Sequence, residues 1–131
     1  MDKKTLQPTL ETYFTWFHRH PELGFAEYKT TARIRELLRE AGVEILDTPL
    51  TTGLVARIQG RPGGPVTALR ADIDGLPITE TAEVDYPSEH PGCMHACGHD
   101  FHLTALLGAA MLLREEAETL AGTVKFVFQP A

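Results

Sequence analysis

Residues 54–74 read LVARIQGRPGGPVTALRADID, and this stretch sets the class of fold. Leu54, Ala56 and Ile58 alternate with Val55, Arg57 and Gln59, the period-two pattern of a strand with one buried face. Gly60-Arg61-Pro62-Gly63-Gly64-Pro65 is dense turn chemistry. Val66 to Ala71 reads as a second strand, expected to fold back on the first as a hairpin. Asp72-Ile73-Asp74 closes the stretch with two carboxylates.

Outward from these strands the periodicity turns helical. Upstream, Leu10, Tyr13, Phe14 and Phe17 recur at i, i+3, i+4 and i+7. Their helix ends at His20-Pro21, because a residue before proline is pushed out of the helical region. Ile34, Leu37, Leu38 and Ala41 share one face of a second helix, with Gly42 as its C-cap. Lys29, Arg33, Arg35, Glu36, Arg39 and Glu40 fall elsewhere and read as its solvated face. Downstream, residues 72–98 read as irregular, broken by Gly75, Pro77, Pro87, Pro91 and Gly92. A third helix is expected over about Asp100 to Leu120, its first half apolar nearly all round and therefore buried. Gly122 opens a last strand, Thr123 to Gln129, which Pro130 stops. The order helix, helix, strand, strand, loop, helix, strand predicts an α/β fold, a sheet flanked by helices. Sites in such sheets gather beyond the carboxyl ends of the strands. Three segments are expected to meet there: the acidic turn at 72–74, the Cys/His loop before the third helix, and Gln129-Pro130.

Composition narrows the function. A chain of 131 residues makes one domain at most. A net charge of −6 with no basic block argues against a nucleic-acid partner and against an anionic membrane surface. The longest nearly apolar run, Leu103 to Leu113, has 11 residues, where a membrane span needs about 20. The first residues, MDKKTLQPTLET, carry no apolar core behind their lysines, so no secretory peptide is expected. With only Cys93 and Cys97, a reducing, cytoplasmic setting is expected.

The chemistry concentrates in Met94-His95-Ala96-Cys97-Gly98-His99-Asp100-Phe101-His102, which holds three histidines, one cysteine and one aspartate. Imidazole and thiolate are ligands that zinc, nickel, cobalt and manganese sites recruit. Cys97 and His99 converge if Gly98 bends the segment. Three other readings stay open: a buried cysteine among helix-capping polar groups; a non-catalytic metal-binding module with His95, Cys97, His99 and His102 as a closed structural site; and a thiol-dependent enzyme using Cys97 with His99 as its base. Asp72 and Asp74, at i and i+2 on a strand end, point the same way if the strand persists. They would bind a cation or hold a ligating histidine from behind, or simply form an Asp-rich turn. His18, His20, Glu22 and Glu27 surround a helix-to-turn junction and read as structural.

Four blocks together resemble the M20 family of metallopeptidases, in the amidohydrolase branch that includes hippurate hydrolases, N-acyl-amino-acid amidohydrolases and indole-acetyl-amino-acid hydrolases. They are Arg19-His20-Pro21-Glu22-Leu23-Gly24-Phe25 with Glu27; Arg70-Ala71-Asp72-Ile73-Asp74-Gly75-Leu76-Pro77; Met94-His95-Ala96-Cys97-Gly98-His99-Asp100 with His102; and Gly122-Thr123-Val124-Lys125-Phe126-Val127-Phe128-Gln129-Pro130-Ala131. The resemblance implies that residues 1–131 are the N-terminal portion of a zinc-peptidase-like catalytic domain, without the inserted dimerisation domain and the C-terminal part. It implies Cys97 and His99 as metal ligands and Asp74 as the catalytic-site carboxylate behind them, with Asp72, His95 and His102 as further candidates. It also implies two divalent ions (Zn, Mn, Ni or Co), a small N-acyl amino acid substrate, and a homo-oligomer for the full-length protein. In the family, Gln-Pro-Ala runs on into two glutamates, one the general base and the other a ligand, and more histidine ligands follow much later. The expected activity is therefore metal-dependent hydrolysis of N-acyl amino acids by the complete protein, with none measurable for residues 1–131 alone.

Overall fold

The computed structural model describes residues 2–131. In chain order the elements are α1 (Lys3–Arg19), α2 (Tyr28–Glu40), β1 (Glu44–Ile45), β2 (Leu54–Gln59), β3 (Arg61–Asp72), α3 (His99–Glu115) and β4 (Ala121–Gln129). The first helix starts on Asp2, whose carboxylate accepts the Thr5 N–H at 3.0 Å, an N-cap that satisfies one of the orphan donors. The second ends as expected. Ala41 is the cap, and Gly42 beyond it turns left-handed at φ 77°.

The hairpin is not formed. The described strands make one sheet in the order β1-β2-β4-β3, so β4 lies between the two strands expected to pair. β2 runs antiparallel to β4, from Leu54 opposite Phe128 to Gln59 opposite Thr123. β3 runs parallel to β4, from Val66 opposite Thr123 to Asp72 opposite Gln129. The Gly/Pro segment passes over the start of β4 instead of turning tightly. Gly60 N–H donates to Gly122 O at 2.8 Å, Arg61 N–H donates to Leu120 O at 2.6 Å, and the register shifts between Arg61 and Val66. Gly122 sits at φ 92°, and a Cβ there would lie 2.1 Å from Pro65 O. Glycine is thus what lets the two backbones cross. The centre goes to the most apolar strand: Phe126 and Phe128 are fully buried there, with Val124 close behind.

One face of the sheet carries the core. Leu54, Ala56, Ile58, Val124, Phe126 and Phe128 pack with Phe17, Ile34, Leu38, Leu103 and Leu107. α2 and α3 lie on this face and α1 packs against α3. On the other face Val55, Arg57, Lys125 and Val127 are half-buried. The third helix is buried along a stripe, not all round. Leu103, Leu106, Leu107 and Ala110 face the sheet, while Phe101 is 66% exposed and Leu112 41%. It also ends at Glu115, with 116–119 in a turn. The two-residue β1 was not anticipated. Among the described residues no helix is long and apolar enough to cross a membrane.

Residues 73–98 are irregular, as expected, yet firmly tied. Leu76 and Met94 exchange backbone hydrogen bonds at 2.8 and 3.0 Å, Gly75 N–H donates to Glu22 O at 2.6 Å, and Glu89 N–H donates to Arg19 O at 2.8 Å. Phe126→Ala should cost about 3–5 kcal/mol of unfolding free energy, whereas Phe101→Ala should stay within about 0.5 kcal/mol of wild type, both read from urea denaturation midpoints.

Candidate metal centre

The site begins where β3 leaves the sheet. Asp72 lies opposite Gln129 in the parallel ladder, and Ile73 N–H donates to Gln129 O at 3.1 Å. The Arg70 guanidinium donates to both the Asp72 carboxylate and the Gln129 side chain, which turns Asp72 to a fixed direction. The other half comes from the start of α3. Gly98 caps that helix at φ 73° with open space around it. The backbone angle, not crowding, is what calls for glycine. His102 N–H then donates to Gly98 O at 3.0 Å and closes the first turn.

That turn carries His99 back to the acidic strand end. His99 Nδ1 lies 2.9 Å from both Asp74 Oδ1 and Asp74 O. In the neutral ring Nδ1–H donates to Asp74, and the lone pair is left on Nε2, which faces Asp72 Oδ2 at 3.5 Å. A carboxylate behind a histidine in this way fixes its tautomer and raises its basicity as a ligand. The His102 ring stands 5.7 Å from that of His99. Asp72, His99 and His102 each offer one donor atom within 4.8 Å of the others. Two imidazoles and a carboxylate at this spacing fit a divalent transition-metal ion.

The structure therefore brings together Asp72, Asp74, His99 and His102. Cys97 is solvent-exposed and lies outside the group. His95 is buried, and neither of its ring nitrogens has a partner among the described residues. Burial pushes its pKa down to about 4; the nearby His18 and His99 add to this, and Asp100 and Asp74 oppose it. His95 is thus a neutral, space-filling ring beside the site.

One participant, His18, was read from the sequence only as a structural residue of a helix-to-turn junction. His18 is 8% exposed at the end of α1, with Nδ1 2.8 Å from Asp100 Oδ2 and Nε2 2.5 Å from Glu80 Oε2. Burial opposes its charge, but hydrogen bonds to the two carboxylates outweigh burial and raise its pKa. Glu80 is lowered in turn: burial works against this, and the Ser88 N–H and His18 win. The position after Phe17 and four residues from Phe14 puts His18 beside the apolar stripe, so its burial was readable. Its partners, 62 and 82 residues away, were not.

Known proteins resemble this chain in sequence and in fold. The profile of peptidase family M20/M25/M40 matches residues 68–131. The chain is 55% identical over 115 residues to an N-acetylcysteine deacetylase of Bacillus subtilis, covering 87% of this chain and 30% of that protein. It is 43% identical over 114 residues to an N-acyl-L-amino acid amidohydrolase of Geobacillus stearothermophilus, covering 87% of this chain and 31% of that protein. A crystal structure from Bacillus subtilis, described as a dinuclear metal binding peptidase from the M20 family, superposes with a TM-score of 0.96 at 50% identity, covering 99% of this chain and 36% of that one. The chain thus spans about 30% of the length of the curated relatives it matches.

The raised pKa of His18 gives a pH dependence of defined sign. Its ion pairs contribute stability that is fully present below the unfolded value and is lost as pH rises through the folded value. Melting temperatures recorded from about pH 6 upward should fall on the alkaline side, beyond the ordinary histidine range near 6.5. A His18→Leu protein should melt lower throughout and lack that decline.

Proposed function

This chain belongs to the M20/M25/M40 peptidase family, and from that premise we propose that it is the N-terminal portion of the catalytic domain of a metal-dependent amidohydrolase. Its substrates are small N-acyl amino acids, as the names of the deacetylase and amidohydrolase relatives suggest. The observation that carries the reading is the convergence of Asp72, His99 and His102 within 4.8 Å, with Asp74 hydrogen-bonded behind His99.

His99 through Nε2, Asp72 and His102 would hold the metal from this side, and Cys97, exposed and outside that group in this structure, is proposed as a further ligand. Asp74 keeps the proton on His99 Nδ1, so that the ring presents its lone pair forward. Arg70 keeps the Asp72 carboxylate turned toward His99. When bound, a pair of divalent ions such as Zn, Mn, Ni or Co lowers the pKa of a water and polarises the scissile carbonyl. The general base and the remaining ligands belong, on this reading, to chain outside these 131 residues. The presence of only two cysteines favours a reducing, cytoplasmic setting, the acidic charge argues against a nucleic-acid or anionic membrane partner, and the family resemblance favours an oligomer for the full-length protein.

The test is hydrolysis of N-acetyl amino acids by the full-length protein. Turnover should disappear on chelation and return with added zinc, manganese, nickel or cobalt. His99→Ala should lower kcat/KM by at least about 100-fold, and Asp74→Asn should weaken metal binding by about 10–100-fold. Turnover that survives exhaustive chelation would refute the proposal. A Cys97→Ser protein with unaltered metal stoichiometry and affinity would remove Cys97 from the ligand set.

A further inference from the structure

We propose that His18 is a positioning residue for the metal centre, locking the first turn of α3, and with it His99 and His102, by holding Asp100 with one ring nitrogen and Glu80 with the other. The inference rests on the amidohydrolase reading for the site it serves.

Three segments distant in sequence meet at this ring: the end of α1, the irregular segment 73–98 and the start of α3. Both nitrogens are engaged by carboxylates, Nδ1 by Asp100 at 2.8 Å and Nε2 by Glu80 at 2.5 Å. Carboxylates accept, so the ring donates from both nitrogens and is the imidazolium form. A cation between two anions, all three nearly out of solvent, compensates charges that would each be costly alone.

The geometry passes this constraint to the ligands. Asp100 directly follows His99. One of its oxygens takes the His18 proton donor, and the other accepts the Phe101 N–H at 2.9 Å. Its backbone oxygen accepts the Thr104 hydroxyl at 2.7 Å. The first turn of α3 is therefore pinned from outside through Oδ2 of Asp100, in addition to the bond from His99 Nδ1 to Asp74. If that turn rotates, His99 and His102 swing away from Asp72, which is fixed on β3 by Arg70. Glu80 supplies the opposing anchor, since its second oxygen accepts the Ser88 N–H at 2.6 Å. Phe14 stacks on the His18 ring at 6.0 Å and Tyr86 meets it edge-on at 5.3 Å, which holds the plane in which both donors aim.

Two substitutions separate the two arms. The amide nitrogen of asparagine stands near the place of Nδ1, and that of glutamine near the place of Nε2. His18→Asn therefore keeps the Asp100 arm and loses Glu80, while His18→Gln keeps Glu80 and releases Asp100. The experiment is titration of the metal-free full-length protein with cobalt(II), read by its visible ligand-field bands. His18→Gln should weaken cobalt binding by about 10-fold or more and shift the bands, while His18→Asn should stay within about 3-fold of wild type. Thermal melts should show similar losses of stability in both. Equal weakening in the two variants, wild-type binding in both, or the reverse ordering would overturn the inference. Should His18→Gln not fold, Asp100→Asn replaces it: weakened binding supports the proposal, and wild-type binding overturns it. A wild-type protein that binds no cobalt would overturn the metal-centre reading and this inference with it; the variants speak to the inference alone.

Discussion

The parallel pairing of β3 with β4 is the constraint from which the rest follows. Parallel neighbours cannot be joined by a tight turn; the chain must travel back the full length of the sheet. Here the return path runs from Ile73 to Leu120 and holds the acidic turn, the Cys/His loop and α3. The same pairing sets Asp72 level with Gln129 at the carboxyl edge. A crossover that starts at that edge and comes back through a helix brings the helix N-terminus near the strand end, where a site on an open sheet belongs. The candidate metal centre is thus a consequence of connectivity before it is a matter of side chains.

Charge then does locally what the apolar core does for the sheet. The return path supplies part of the core through Ile73, Leu103, Leu106, Leu107 and Ala110. Polar groups at its start and along it are paired: Arg70 with Asp72, Asp74 with His99, and Glu80 and Asp100 with His18. Buried carboxylates without such partners would be expensive. Each pair also spends one side of a ring or carboxylate, which leaves a small set of free donor atoms. His99 Nε2 is the one the geometry exposes to Asp72.

Helices and strand cores were legible because their signal is local. Phe17, Ile34 and Leu38 fall on the stripes that the sequence marks, and all three are fully buried. Pairing was not legible. A period-two pattern names a buried face but not a neighbour, and Gly60 to Pro65 carries the residues of a tight turn although its glycines serve a crossing over Gly122. The candidate site was readable in part for the same reason. Asp72, Asp74, His99 and His102 lie in two dense motifs, so a single fold-back unites them. His18 stands alone in sequence, and only the tertiary structure supplies its two carboxylates. Cys97, in the densest motif of all, is exposed and outside the group that assembles.

The arrangement of the histidines also has an electrostatic logic. Three imidazoles lie close together: one raised in pKa and held charged by two carboxylates, one depressed by burial, and one tied to Asp74. Burial keeps His95 neutral between the cationic His18 and the ring of His99. A second charge there would repel both His18 and any cation at the cluster, and no carboxylate in direct contact is available to offset it. A hydrophobic wall could have filled the same space. An imidazole that stays neutral at the expense of two unpaired nitrogens instead leaves His18 as the charged ring of the three, where it fastens the turn that carries His99 and His102.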